Sequence, residues 1–173
     1  MENYKQKLRN IRNMIFDVDG VFTDGIVLLM PDGQQIRSSN VKDGYVVQLA
    51  VKKGFRLAVI TGGDSEAVRQ RFEGLGVNDV FLNSNDKWKV YTDYMAQHNL
   101  KPEETLYMGD DIVDIRVLKD VAVGCCPADA AHEVREICDY VSHLPGGKGC
   151  VRDVVEQVLK VQGLWMDKDS LEW

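Results

Sequence analysis

No apolar run in this chain approaches the roughly 18 residues that a membrane-spanning helix needs. The stretch from Met1 to Asn13 is polar and charged and has no apolar signal core. A cytoplasmic protein with no membrane partner is therefore expected. Cysteine is scarce: Cys125, Cys126, Cys138 and Cys150 are the four. They include no C-x-x-C pair, and the adjacent two cannot easily join each other, so reduced, mostly buried thiols are expected. The three histidines (His98, His132, His143) stand at no ligand spacing from those cysteines, which argues against a zinc centre. Positive charge is short as well. The formal net charge is −6 and no long Lys/Arg run occurs, so nucleic acid has no basic face to meet. An anionic ligand must then be held by a local positive site or a metal.

What is present suits one ordinary domain. The 173 residues are 45% hydrophobic, enough for a full core, and the 28% that are charged are of mixed sign. Residues 1–173 are read as a single domain, with 163–173 as a C-terminal tail carrying Trp165 and Trp173. Met14–Val18 is a buried strand by its apolar run. Ile26–Met30 and Gln35–Ser39 flank a P-D-G turn and read as a hairpin. A helix over Gly44–Lys53 ends at Gly54. Further strands are expected at Phe55–Ile60, Val80–Leu82, Thr105–Met108, Val121–Cys125 and Tyr140–Val141. Helices are expected from about Ser65 to Leu75, over Lys87–His98, as a short segment after Asp111, and over Gly149–Gln162. Strands alternating with helices predict a mostly parallel sheet covered on both faces, with ligands bound beyond the carboxyl ends of the strands.

Those strand ends carry the unusual residues. Asp17 and Asp19 follow the first strand, Thr61 and Gly62 the second, Lys87 comes a few residues past the third, and Asp110 and Asp111 follow the fourth. Asp114 stands one helical turn further on. Taken singly these have ordinary readings: turn residues, helix caps, a solvated lysine. Together they are harder to dismiss. Converging carboxylates repel one another, and a hard divalent cation with oxygen ligands resolves the conflict. Magnesium suits one or two carboxylates plus a substrate phosphate. Lys87 and the Thr61 hydroxyl are then free for phosphate oxygens, helped by backbone N–H groups around Gly20 and Gly62.

The segment Asp17-Val18-Asp19-Gly20-Val21-Phe22-Thr23-Asp24-Gly25 resembles the first motif of haloacid dehalogenase phosphatases. Ile60-Thr61-Gly62 matches the second motif, Lys87 the third, and Gly109-Asp110-Asp111-x-x-Asp114 the fourth. With Gly146-Gly147-Lys148-Gly149-Cys150-Val151-Arg152, the resemblance narrows to the 3-deoxy-D-manno-octulosonate 8-phosphate phosphatase family, over about residues 10–162. It implies a Rossmann-like three-layer sandwich with a central parallel sheet, a β-hairpin insertion after the first strand and no large cap domain. It implies Asp17 as nucleophile and Asp19 as acid and base. The Mg2+ ligands would be the Asp17 and Asp110 side chains and the Asp19 backbone carbonyl, with Asp111 and Asp114 behind them. It also implies a homotetramer whose hairpins meet at the centre, and a small-molecule sugar-acid phosphate as substrate, within lipopolysaccharide biosynthesis. The hairpin residues Ile26, Leu28 and Met30 fit that assembly, although packing on the parent chain would explain them equally.

Gly147 and Lys148 are expected in a flap over a site, with a plain loop before a helix as the alternative. Relatives often place Arg after the second-motif Thr-Gly, where this chain has Gly63. Arg69, Arg71 and Lys148 are then candidates for the substrate carboxylate. The absence of an acid at position 63 favours the octulosonate over a nonulosonate 9-phosphate, with a general sugar phosphatase as a further alternative. Outside enzymes, a phospho-receiver module also gathers carboxylates, a Thr and a Lys at strand ends. Its phosphorylated Asp, however, comes from a later strand, and here the third strand ends without a carboxylate.

Overall fold

The computed structural model describes residues 3–172. In chain order the elements are α1 (Tyr4–Lys7), β1 (Asn13–Phe16), β2 (Leu28–Leu29), β3 (Gln35–Ile36), α2 (Val41–Lys52), β4 (Arg56–Ile60), α3 (Glu66–Glu73) and β5 (Asp79–Phe81). They continue with α4 (Lys87–Gln97), β6 (Thr105–Met108), α5 (Ile115–Leu118), β7 (Val123–Cys126), α6 (His132–Ile137), β8 (Tyr140–Val141) and α7 (Cys150–Val161).

Six strands form one sheet in the order β5-β4-β1-β6-β7-β8, all parallel. The most apolar runs take the middle: β1 pairs with β4 and β6, with Ile15 opposite both Ala58 and Tyr107. Successive side chains along a strand point to opposite faces, so one run feeds two cores. Met14 and Phe16 join Leu57, Val59, Leu106 and Met108 beneath α2 and α7. Ile15 joins Ala58, Ile60 and Tyr107 beneath α4, α5 and α6. The expected three-layer α/β arrangement follows.

Helix boundaries are set by polar caps. The Asn40 side chain accepts from the Lys42 N–H, so α2 starts three residues before the expected Gly44. Asp86 caps α4 in the same way through the Lys89 N–H, placing Lys87 as the first helical residue. The hairpin is shorter than its pattern suggests, with two residues per strand, and it stands apart from the main sheet. The first strand ends at Phe16, so Asp17 is the first residue beyond it. The tail folds back on its own chain. Lys53 pairs with Asp167 and Asp169, the Tyr45 hydroxyl donates to the Ser170 carbonyl at 2.5 Å, and Trp165 lies against Arg152 and Lys160. Trp173 lies outside the described residues. Among those residues no helix is long and apolar enough to cross a membrane.

Candidate active site

Parallel pairing aligns the ends of β1, β4 and β6, and the chain turns sharply after each. The Asp17 N–H donates to the Met108 carbonyl at 2.9 Å as the last rung between β1 and β6. Beyond it the N–H groups of Val21, Phe22 and Thr23 converge on the Val18 carbonyl, wrapping Asp19 and Gly20 into a tight loop. Gly20 has φ +81°, and a Cβ there would stand 2.0 Å from Asp110 Oδ2, so this position takes only glycine. The closeness of that carboxylate to the loop brings the first and fourth motifs together.

Asp17, Asp110 and Asp114 each offer an oxygen, and the three lie within 4.8 Å of one another. Lys87 reaches into this group, with Nζ 2.7 Å from Asp17 Oδ2 and 2.7 Å from Asp114 Oδ1. One ammonium thus faces three carboxylates. Burial pushes the Asp17 carboxyl up to about 6 against the pull of Lys87. Burial, with the charges of Asp17 and Asp114, pushes Asp110 up to about 7. Burial also works against the Lys87 ammonium, but Asp17 and Asp114 outweigh it and hold the amine above the ordinary lysine value.

Asp114 is fully buried, and both its oxygens are occupied. Oδ1 accepts from Lys87 and from the Tyr107 hydroxyl (2.6 Å), and Oδ2 accepts from the N–H groups of Asp110 and Asp111 at 3.2 and 3.3 Å. It therefore orients Lys87 and the fourth-motif turn. Asp17 also has a partner on each oxygen, the Val18 N–H on Oδ1 at 2.6 Å and Lys87 on Oδ2, but it stands with Asp110 at the mouth of the Gly20 loop, and these two are the carboxylates placed to meet a cation there. Two adjacent acids whose carboxyls are both pushed up, one buried and one half-buried, with the one nearby lysine bridging Asp17 and Asp114, fit a hard divalent ion such as Mg2+. Asp111 is exposed and accepts from the Ile112 N–H at 2.8 Å, so it serves as the cap of the short 3-10 turn Ile112–Asp114.

Thr61 is buried at the end of β4, its N–H bonded to the Phe81 carbonyl, while its Oγ1 accepts from the Gly63 N–H at 3.1 Å. Gly62 is exposed with nothing within 4 Å of a Cβ position, which leaves its backbone open to an anion. Lys87 differs from its expected role in one respect. It is not free, because two of its three donors are engaged with carboxylates.

Asp19 accepts from Arg37 Nε at 2.7 Å, and the Thr23 hydroxyl lies 3.4 Å from the same oxygen. Thr23 also accepts from the N–H groups of Gly20 and Gly25 and so ties the loop together. The expected flap proves to be a packed segment of the same chain. The Gly147 N–H donates to the Val21 carbonyl at 2.9 Å, and the Gly146 N–H donates to Asp129. A Cβ on Gly146 would meet the Gly20 carbonyl oxygen at 2.0 Å. The two glycines therefore buttress the Asp19 loop. Lys148 is 60% exposed and lies 3.6 Å from Asp24. A cavity of about 810 Å³ opens between the hairpin and the turn after β4, lined by Phe22, Thr23, Arg37, Gly62, Gly63 and Arg71 among others, while the clustered carboxylates themselves lie outside its wall.

Known proteins resemble this chain in sequence and fold. A family model for haloacid dehalogenase-like hydrolases matches residues 76–145. The 3-deoxy-D-manno-octulosonate 8-phosphate phosphatase KdsC of Salmonella typhi is 34% identical over 157 residues, covering 91% of this chain and 84% of the relative. The chain belongs to the 3-deoxy-D-manno-octulosonate 8-phosphate phosphatase family. The crystal structure of the family's enzyme from Yersinia pestis superposes with a TM-score of 0.91 at 31% identity, over 94% of this chain and 88% of the other. That from Moraxella catarrhalis, in complex with magnesium ion, phosphate ion and KDO, gives a TM-score of 0.90 at 29% identity and covers 94% of each chain.

For a phosphatase of this family the phospho-receiver alternative falls away. The motif residues Asp17, Lys87, Asp110 and Asp114 do meet, with Asp19 and Thr61 on the adjoining loops. Arg37 and Tyr107 escaped the sequence reading. Tyr107 sits inside an apolar strand, where its hydroxyl gives no signal. Arg37 lies in a hairpin whose spacing says nothing about the distant loop it reaches.

Proposed function

We propose that this chain hydrolyses 3-deoxy-D-manno-octulosonate 8-phosphate in a magnesium-dependent reaction through a phosphoaspartate on Asp17. The observation that carries this reading is the single cluster of Asp17, Asp110 and Asp114 around Lys87 at the strand ends, in a chain of this family. One Asp17 oxygen attacks phosphorus in line, and the bond to the sugar oxygen breaks. Asp19, two residues on, gives that oxygen its proton. Asp19 then takes a proton from water as the water oxygen attacks phosphorus, releasing phosphate and restoring Asp17. Lys87 neutralises Asp17 at rest and the phosphoryl oxygens during transfer, where positioning and countercharge do most of the work. Thr61 and the Gly62 backbone hold further phosphate oxygens. The Asp17 and Asp110 side chains and the Asp19 carbonyl would hold the magnesium ion, which would supply the remaining countercharge. Asp114 keeps Lys87 aimed, and Asp111 holds the turn that presents Asp110.

The site lacks a cap domain of its own. The hairpin exposes Ile26, Leu28, Leu29, Met30 and Ile36, more apolar surface than an isolated two-stranded ribbon keeps in water. We infer that these hairpins meet in a cytoplasmic homotetramer whose neighbours cover each site. Light scattering of a Leu28→Glu, Leu29→Glu double variant should show a smaller species, and an unchanged mass would contradict the assembly. The substrate itself is tested by comparing kcat/KM, with magnesium, for the octulosonate 8-phosphate, a nonulosonate 9-phosphate and a hexose 6-phosphate. Preference for the octulosonate is expected. Preference for the nine-carbon acid would reassign the substrate while keeping the chemistry.

A further inference from the structure

A hydrolase for a sugar-acid phosphate must hold a carboxylate as well as a phosphate, and a carboxylate calls for a cation with directed donors. Few cations among the described residues can serve. Lys87 is committed between Asp17 and Asp114. Arg69 donates to the Val80 carbonyl at 3.0 Å and lies 3.6 Å from Glu66. Lys148 is mostly exposed and reaches towards Asp24. Arg37 and Arg71 remain on the wall of the cavity beside Gly62 and Gly63. Arg71 lies across Gly44, 2.3 Å from a Cβ position there. Arg37 alone of the two bonds to a group assigned to the reaction, Asp19.

We propose that Arg37, carried to the site by the hairpin, is the specificity residue that binds the carboxylate of the sugar acid. The inference rests on the octulosonate reading and extends it to the residue responsible. Three observations support it. The hairpin residues around Arg37 are exposed, yet its side chain is only 10% exposed, so it is turned inward to the cavity. Its Nε is taken by Asp19, but Nη1 and Nη2 rest on neutral oxygens of Gln35 at 3.3 and 3.2 Å. An anionic oxygen forms shorter and stronger bonds and displaces such partners, and the planar fork of a guanidinium matches a carboxylate. Finally, a Cβ at position 63 would stand 3.3 Å from Arg37 Nη2 and 3.4 Å from Asp19 Oδ2. Glycine there keeps the space over the guanidinium clear. A ligand bridging phosphate site and cavity would then bring its carboxylate to Arg37 while its ester oxygen stays near Asp19.

The test measures kcat/KM of the magnesium-loaded enzyme for the octulosonate 8-phosphate and for glucose 6-phosphate, in wild type, Arg37→Ala and Arg37→Lys. Melting temperatures serve as a check on folding. Loss of a charge-assisted contact predicts that the ratio of acid to neutral substrate falls about 10- to 100-fold in Arg37→Ala, mainly through KM on the acid. Arg37→Lys, which keeps charge without the fork, should recover part of that ratio and also serves if the alanine variant is poorly folded. Calorimetric binding of the phosphate-free sugar acid should weaken in parallel. A purely structural role, or one exercised only through Asp19, lowers both activities and leaves the ratio where it was, which would overturn the inference while leaving the substrate reading intact. A wild-type enzyme with no preference for the acid would overturn both.

Discussion

Lys87 is the residue whose removal the electrostatics make most costly. Its Nζ lies 2.7 Å from each of two buried carboxylates. At an effective dielectric constant of about 20, each attraction is worth about 6 kcal/mol before the cost of stripping water from the ammonium is subtracted. Breaking a buried pair by deleting one partner leaves a net loss of about 3–5 kcal/mol, which for a chain of this size is about 8–15 °C in Tm. Lys87→Met keeps most of the packing and removes the charge together with its hydrogen bonds to Asp17 and Asp114. The pH dependence follows from the neighbours. Asp17 at about 6 and Asp110 at about 7 hold their protons more tightly than in the unfolded chain. The folded state therefore binds more protons, so in metal-free protein these groups cost stability progressively as pH rises from about 4 to 7. Without Lys87 both carboxyls move further up, and the gap between variant and wild type is widest above pH 7 and narrowest near pH 5. Thermal unfolding in EDTA at pH 5 and pH 8 measures it, and added magnesium should narrow the gap at pH 8. Equal melting temperatures at pH 8 in EDTA would refute the claim that Lys87 compensates the acid cluster.

Two other consequences are accessible to simple assays. Under the proposed ligation, protons and magnesium would compete for the oxygens of Asp17 and Asp110, so with limiting magnesium phosphate release should fall as pH drops below about 7. Saturating magnesium should move that limb to lower pH and EDTA should abolish turnover, while a limb indifferent to magnesium would count against direct ligation. Gly146→Ala forces a methyl against the Gly20 and Thr23 carbonyls, which are backbone and cannot swing away. Overpacking of this kind costs about 1–3 kcal/mol, and displacement of the Asp19 loop should cut kcat at least 10-fold, whereas normal kcat would show that the buttress is dispensable.

The gathering of residues at the strand ends was legible because parallel sheets align their carboxyl ends, so Asp17, Thr61 and Asp110 had to share one edge once the alternation of strands and helices was read. The central strands were equally plain, since runs such as Met14-Ile15-Phe16 must be buried on both faces. Contacts across sequence distance were not legible. The reach of Arg37 to Asp19 depends on how a two-residue-per-strand hairpin leans over the sheet. The packing of Gly146 and Gly147 on the Gly20 loop joins segments over a hundred residues apart, and a glycine-rich run gives the same signal whether it moves or is clamped. Asp111 and Asp114 look alike in the motif, yet one caps a turn in solvent while the other is buried under Lys87 and Tyr107.

The central claim is that phosphate passes through a covalent intermediate on Asp17. Rapid acid quench of the magnesium-loaded enzyme with the octulosonate 8-phosphate, followed by peptide mapping by mass spectrometry, tests it most directly. The account predicts a phosphoryl group on Asp17 in the first turnover, and neither phosphoryl group nor phosphate release in a folded Asp17→Asn variant. Phosphate carried on another residue, or normal turnover by Asp17→Asn, would contradict it.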